Sequence, residues 1–152
     1  MSALRSQTSL LKRVIRFGTQ HPRQLFLVDG AGAVLSALML GVVLIRLESF
    51  FGVPPRMLLI LATFPALFAL YDLGCFVRNP RSPVTPLRII GMLNLFYVLI
   101  SVISMAYHAG SILLPGWISL ISEVLIVTAI GFAELHISRQ LASVGRVGVR
   151  HQ

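Results

Sequence analysis

Four stretches of the chain are nearly unbroken apolar runs, and most of the charged residues fall between them. The runs cover residues 24–46, 57–77, 88–108 and 112–135. Each has about 20 residues or more, the length a helix rising ~1.5 Å per residue needs to cross the hydrocarbon layer of a bilayer. Backbone N–H and C=O groups in hydrocarbon have no water to bond, so a run of this length predicts an α-helix. Breakers stand at each joint: Gly52, Pro54 and Pro55, then Asn79, Pro80, Pro83 and Pro86, then Gly110, Pro115 and Gly116. The joints are short, so consecutive helices should run antiparallel. The expected fold is all-α, a membrane-embedded antiparallel four-helix bundle over residues 24–138.

Composition agrees with this pattern. Of 152 residues, 56% are apolar and 12% charged, too few charges to clothe a soluble core. The single cysteine, Cys75, rules out an internal disulfide and dithiol chemistry, and is expected to pack near a helix end.

The formal charge of +8 would direct attention to nucleic acid in a soluble protein. Here its distribution has another cause. Lys and Arg number five before the first run (Arg5, Lys12, Arg13, Arg16, Arg23), three around the second joint (Arg78, Arg81, Arg88) and three in the tail (Arg139, Arg146, Arg150). Against these eleven stand two at the first joint, Arg46 and Arg56, and none at the third. Basic residues are retained on the cytoplasmic side, so both termini are expected there, in a cell inner membrane, with no nucleic acid partner. Tyr107, Trp117, Phe50 and Phe51 then fall at the outer interface. Residues 1–23 place Leu10, Leu11, Val14 and Ile15 opposite Lys12, Arg13 and Arg16, the pattern of a helix lying on the inner membrane surface. Their basic stretch is too long for a cleaved signal peptide, and Asp29 interrupts the apolar core that would follow. Residues 139–152 read as a basic cytoplasmic tail.

Polar residues inside the apolar runs carry the remaining information. The first run has Ala33, Ala37 and Gly41 every fourth position, a small-residue stripe that lets another backbone approach, either a helix of the same chain, which is the favoured reading, or a second copy. The third run spaces Gly91, Asn94, Tyr97, Ser101, Ser104 and His108 three or four apart, on a face that should avoid lipid. Depth arithmetic sorts the rest into two layers. Asp29, Asp72 and Asn94 lie roughly 6 to 9 Å inside the inner boundary, within reach of Arg23, Arg78 or Arg81. Ser36, Tyr97, Ser101 and Glu123 converge at roughly 13 to 20 Å, with no Lys or Arg at that level. An unpaired carboxylate there is costly, so Glu123 is expected to hold a proton and to bond Tyr97, Ser101 or Ser36. Glu134, eleven residues on, returns to the same helix face.

No catalytic motif emerges. His21, His108, His136 and His151 are scattered over both faces and form no ligand set, so neither a metal nor another cofactor is expected. Asp29-Gly30-Ala31-Gly32-Ala33 contains a fragment of the CDP-alcohol phosphotransferase signature but lacks its preceding aspartate, following arginine and later aspartate pair.

Val28-Asp29-Gly30-Ala31-Gly32-Ala33-Val34-Leu35-Ser36-Ala37, Leu40-Gly41, Glu48-Ser49-Phe50-Phe51-Gly52-Val53-Pro54, Ala69-Leu70-Tyr71-Asp72 and Asn94-Leu95-Phe96-Tyr97 resemble a group of small four-helix bacterial membrane proteins catalogued as hypothetical. The resemblance spans all four runs and implies a bacterial inner membrane and the same architecture. It carries no activity with it. Asp29, Ser36, Glu48, Tyr71, Asp72, Asn94 and Tyr97 fall on the group's recurrent pattern.

The leading expectation is a non-enzymatic bundle that associates with a membrane protein partner or with itself in the lipid bilayer. The alternative is a small proton-coupled or ion-conducting protein using Glu123 and the polar face of the third helix. A third reading, a membrane enzyme, would need Asp29 and Asp72 to share a metal.

Overall fold

The computed structural model describes residues 20–149; the surface helix expected within residues 1–23 lies almost wholly outside them. Proline opens the first helix, α1 (Pro22–Leu38), at a position whose N–H has no helical acceptor in any case. The helix then widens into a π-helical stretch, Met39–Leu44, before a single turn, α2 (Glu48–Phe51). Extended Pro54 leads into α3 (Pro55–Arg78), which ends on Asn79 in the left-handed conformation. Next come α4 (Val84–Tyr107) and α5 (Leu114–Val149). Arg23–Leu44, Pro55–Arg78, Val84–Tyr107 and Leu114–Ser143 are each long and apolar enough to cross a membrane.

The last helix departs most from expectation. The tail expected from residue 139 continues α5 to Val149. No proline interrupts this stretch, Ser138 is fully buried, and Leu141 still packs on the core, so the helix has reason to go on.

The four spans form two antiparallel hairpins. Helix α1 packs along α3, and α4 along α5, whereas α3 and α4 touch over a shorter stretch. Small residues let each hairpin close. A Cβ placed on Gly41 would stand 3.3 Å from Ala62 Cβ, and one on Gly30 3.1 Å from Asp72 Cβ. Half-buried Ala33, Ala37 and Gly41 therefore serve contact with α3 of the same chain. In the second hairpin Gly91 and Gly131 approach so closely that a Cβ on either would lie 3.0 or 3.1 Å from the other's carbonyl oxygen.

Leu40 and Leu44 from the π-helical stretch, Leu58 and Leu61 from α3, Ile90 from α4 and Ile137 from α5 belong to one buried cluster. The outer surface is no less apolar: Val28, Leu35, Leu70, Leu125 and Phe132 are exposed. In a soluble protein such a belt would drive aggregation, but lipid is its natural solvent.

At one end of the bundle the two hairpins are pinned by backbone. Leu113 N–H donates to Phe51 O at 3.0 Å, fastening the α2 turn to the start of α5. At the other, arginine-rich end, Tyr71 Oη donates to Pro86 O at 3.4 Å.

Candidate intramembrane polar site

Most of the buried polar groups among the described residues fall in two layers where the helices meet. Nearer the arginine-rich end, each spanning helix contributes one member: Asp29 from α1, Asp72 from α3, Asn94 from α4 and Glu134 from α5. All four are buried, Asp72 at 0% and Glu134 at 1% exposure. Asn94 Nδ2 donates to Glu134 Oε2 at 3.0 Å. Asp29 interacts with each of the other three, and the charges of Asp72 and Glu134 also bear on one another. Even so, neither Asp72 oxygen nor Glu134 Oε1 has a hydrogen-bond partner among the described residues.

Three buried acids thus share one small region with an amide and, among the described residues, no cation. Although depth arithmetic puts arginines within reach, neither Asp29 nor Asp72 pairs with one among the described residues. Arg23 Nε instead donates to Phe76 O at 3.1 Å, and its guanidinium lies 4.5 Å from the centre of the Phe76 ring. Neither Arg78 nor Arg81 forms an ion pair with the acids among the described residues. The physical reason is depth: these side chains sit at the bundle end, where their charge stays hydrated while the stem covers apolar surface.

The second layer lies farther from that end. Tyr97 Oη donates to Glu123 Oε1 at 2.9 Å, joining α4 to α5, and Ser36 of α1 also interacts with Glu123. Helix α3 supplies aromatic rings here. Phe64 and Phe68 stand 5.8 and 6.2 Å from the Tyr97 ring, the second edge-on at 89°, which holds the phenol towards the carboxyl. Ser101, beside Tyr97, is buried, and its hydroxyl has no hydrogen-bond partner among the described residues.

The layers are linked by helical period. Asp29 and Ser36 are seven residues apart on α1, as are Asn94 and Ser101 on α4, two turns in each case. Glu123 and Glu134 are eleven apart on α5, three turns.

Sequence reasoning did not place Glu134 in the inner layer. Its return to the Glu123 face was the available signal, but the helix was expected to end at residue 135. Because α5 runs on to Val149, Glu134 lies well inside it. Phe64 and Phe68 were missed as well, since nothing distinguishes a ring-stacking phenylalanine from a lipid-facing one in an apolar run. The outer part of the third-helix stripe does not join the site. His108 Nδ1 pairs with Ser104 O of its own helix at 3.0 Å, and its ring lies 4.9 Å from that of Tyr107. Cys75 is half-buried near the end of α3. Among the described residues no group of three or more His, Cys, Asp or Glu is arranged to hold a metal ion.

The Tyr97 contact predicts its own test. Tyr97→Phe keeps the ring packing and strips Glu123 of its phenolic donor, so it should lower bundle stability by about 0.6–1.7 kcal/mol. Unfolding in mixed micelles reads the change. An unaltered midpoint would show that the bond does not help hold α4 to α5.

No protein family model, characterised protein or solved structure matches this chain. Its class is therefore set by its own architecture: a multi-pass α-helical membrane protein, built as a four-helix bundle with two polar layers at its internal seam.

Proposed function

We propose that this protein takes up and releases protons inside the membrane, with Asp29, Asp72, Glu134 and Asn94 as the principal site and Glu123 with Tyr97 as a second station. The observation that carries this reading is the set of three buried acids at the seam, which no described cation neutralises. Repulsion among like charges in a medium of low permittivity prevents all three from being ionised together. Such a cluster must hold protons, and its occupancy is sensitive to small movements of one hairpin against the other. Amides or hydroxyls could fasten the helices without that electrostatic risk, and intramembrane acids generally mark ion and proton pathways. The eleven-residue interval from Glu134 to Glu123 spans ~16 Å along α5, more than half the hydrocarbon thickness.

The arginine bias and the resemblance of the first helix to bacterial proteins support a bacterial inner membrane, with the arginine-rich end of the bundle in the cytoplasm. Reporter fusions after Ser143 test that arrangement directly.

Vesicles holding the purified full-length protein, a trapped pH dye and an imposed membrane potential test the activity. Wild-type protein should acidify or alkalinise the lumen as the potential dictates. Glu134→Gln and Asp29→Asn should fall to the rate of protein-free vesicles, and Glu123→Gln should slow the flux. Tight wild-type vesicles would overturn the proposal. The bundle would then be read as a non-enzymatic accessory protein, with its acids serving only to join helices.

A further inference from the structure

At the arginine-rich end of the bundle lies a cavity of about 370 Å³, lined by Arg23, Phe26, Cys75, Asn79, Pro80, Arg81 and Pro83. Its walls belong to the first turns of α1, the last turn of α3 and the connector that follows. It sits where the spans end, at the level of lipid headgroups. We propose that this cavity binds a phosphate-bearing anion between Arg23 and Arg81.

Three features converge on that chemistry. First, Arg23 is already oriented. Its Nε bond to the Phe76 carbonyl and its position over the Phe76 ring fix the guanidinium, leaving four N–H donors on the two terminal nitrogens. The same bond covers a carbonyl at the end of α3 that would otherwise repel an anion.

Second, Arg81 has no hydrogen bond or ion pair among the described residues, so all five of its donors remain available. Third, no carboxylate lines the cavity. The five acids of the chain are Asp29, Glu48, Asp72, Glu123 and Glu134, and none belongs to its wall. Two guanidinium groups facing a common space without an internal counter-ion suit the planar, forked recognition of phosphate oxygens. Phe26, Pro80 and Pro83 add apolar wall, as a glycerol or acyl-proximal segment would require.

A lipid headgroup and a free phosphate share this chemistry, and the test separates them. Full-length protein in a neutral detergent is given equal amounts of phosphatidylglycerol and phosphatidylcholine, and retained lipid is read by native mass spectrometry. Wild-type protein should hold the anionic lipid preferentially. Arg23→Gln with Arg81→Gln should weaken that retention about 30-fold, the effect of two surface cations acting together. Both side chains are exposed, so the fold should tolerate the change. The matched control, Arg88→Gln with Arg139→Gln, removes the same charge from exposed positions outside the cavity wall and should leave retention unchanged.

In the second arm, lipid-depleted protein is titrated with inorganic phosphate and followed by phosphorus line broadening. Broadening that requires both cavity arginines assigns the site to the free ion. Retained lipid without broadening assigns it to a headgroup. If neither ligand responds to the cavity substitutions, or if the control pair abolishes binding equally, the proposal is overturned.

Discussion

Asp72→Leu should make the bundle more stable while abolishing proton flux through it. Asp72 is fully buried and both of its oxygens lack a hydrogen-bond partner among the described residues. Asp29 and Glu134 add like charge beside it. Leucine keeps the four-atom branched outline of aspartate while replacing the two carboxyl oxygens with bulkier methyl groups, at home in a bundle interior. Exchanges of buried charged groups for apolar ones of similar volume are neutral or stabilising by about 1–4 kcal/mol. A gain in that range is expected in the unfolding midpoint, accompanied by loss of the vesicle signal.

Asn94→Leu supplies the contrast. It breaks the 3.0 Å bond to Glu134 and takes away that carboxyl's amide donor in a buried setting, so it should destabilise by about 1–3 kcal/mol. Opposite signs at two positions in one layer would separate a residue kept for activity from one kept for structure. Should Asp72→Leu weaken the bundle as much as Asn94→Leu does, the acid is a packing element and the proton reading loses its support.

The other large effect is expected far from the acids. Gly52→Ala should destabilise the protein by about 2–4 kcal/mol, combining a left-handed backbone with severe overpacking. Gly52 has φ +66°, and a Cβ there would stand 2.5 Å from Ser111 O and 2.8 Å from Leu113 N, both backbone atoms that cannot swing aside. This is the point where the α2 turn meets the start of α5, next to the Leu113 to Phe51 bond that pins one hairpin to the other. The damage should therefore loosen the seam as well as the turn. Gly74→Ala is the reference, because its Cβ would meet nothing within 4 Å and alanine favours helix over glycine by about 1 kcal/mol. Melting both variants in the same detergent decides the matter, and equal midpoints would show that the turn yields without cost.

The spans, their number and their alternation were legible because they depend on local properties. Run length, hydropathy and the proline and glycine breakers act over a few residues, and each can be read without knowing what lies opposite. The small stripe at Ala33, Ala37 and Gly41 was legible for the same reason, as was the encounter of Tyr97 with Glu123, which helical depth brings to one level on neighbouring helices. Where that arithmetic assumed a wrong helix end, at residue 135, it set Glu134 at the membrane edge and left it out of the acid layer.

The amino-acid order by itself determined that the chain is a four-helix membrane bundle with acids inside its apolar runs, since free energies of transfer into lipid add residue by residue along a helix. Only the tertiary structure decided which acids meet. The rotation and axial offset of each helix are set by close contacts between distant residues, Gly41 on Ala62 and Gly91 on Gly131. Those contacts turn Asp29, Asp72, Asn94 and Glu134 into one layer and leave the arginines at its rim.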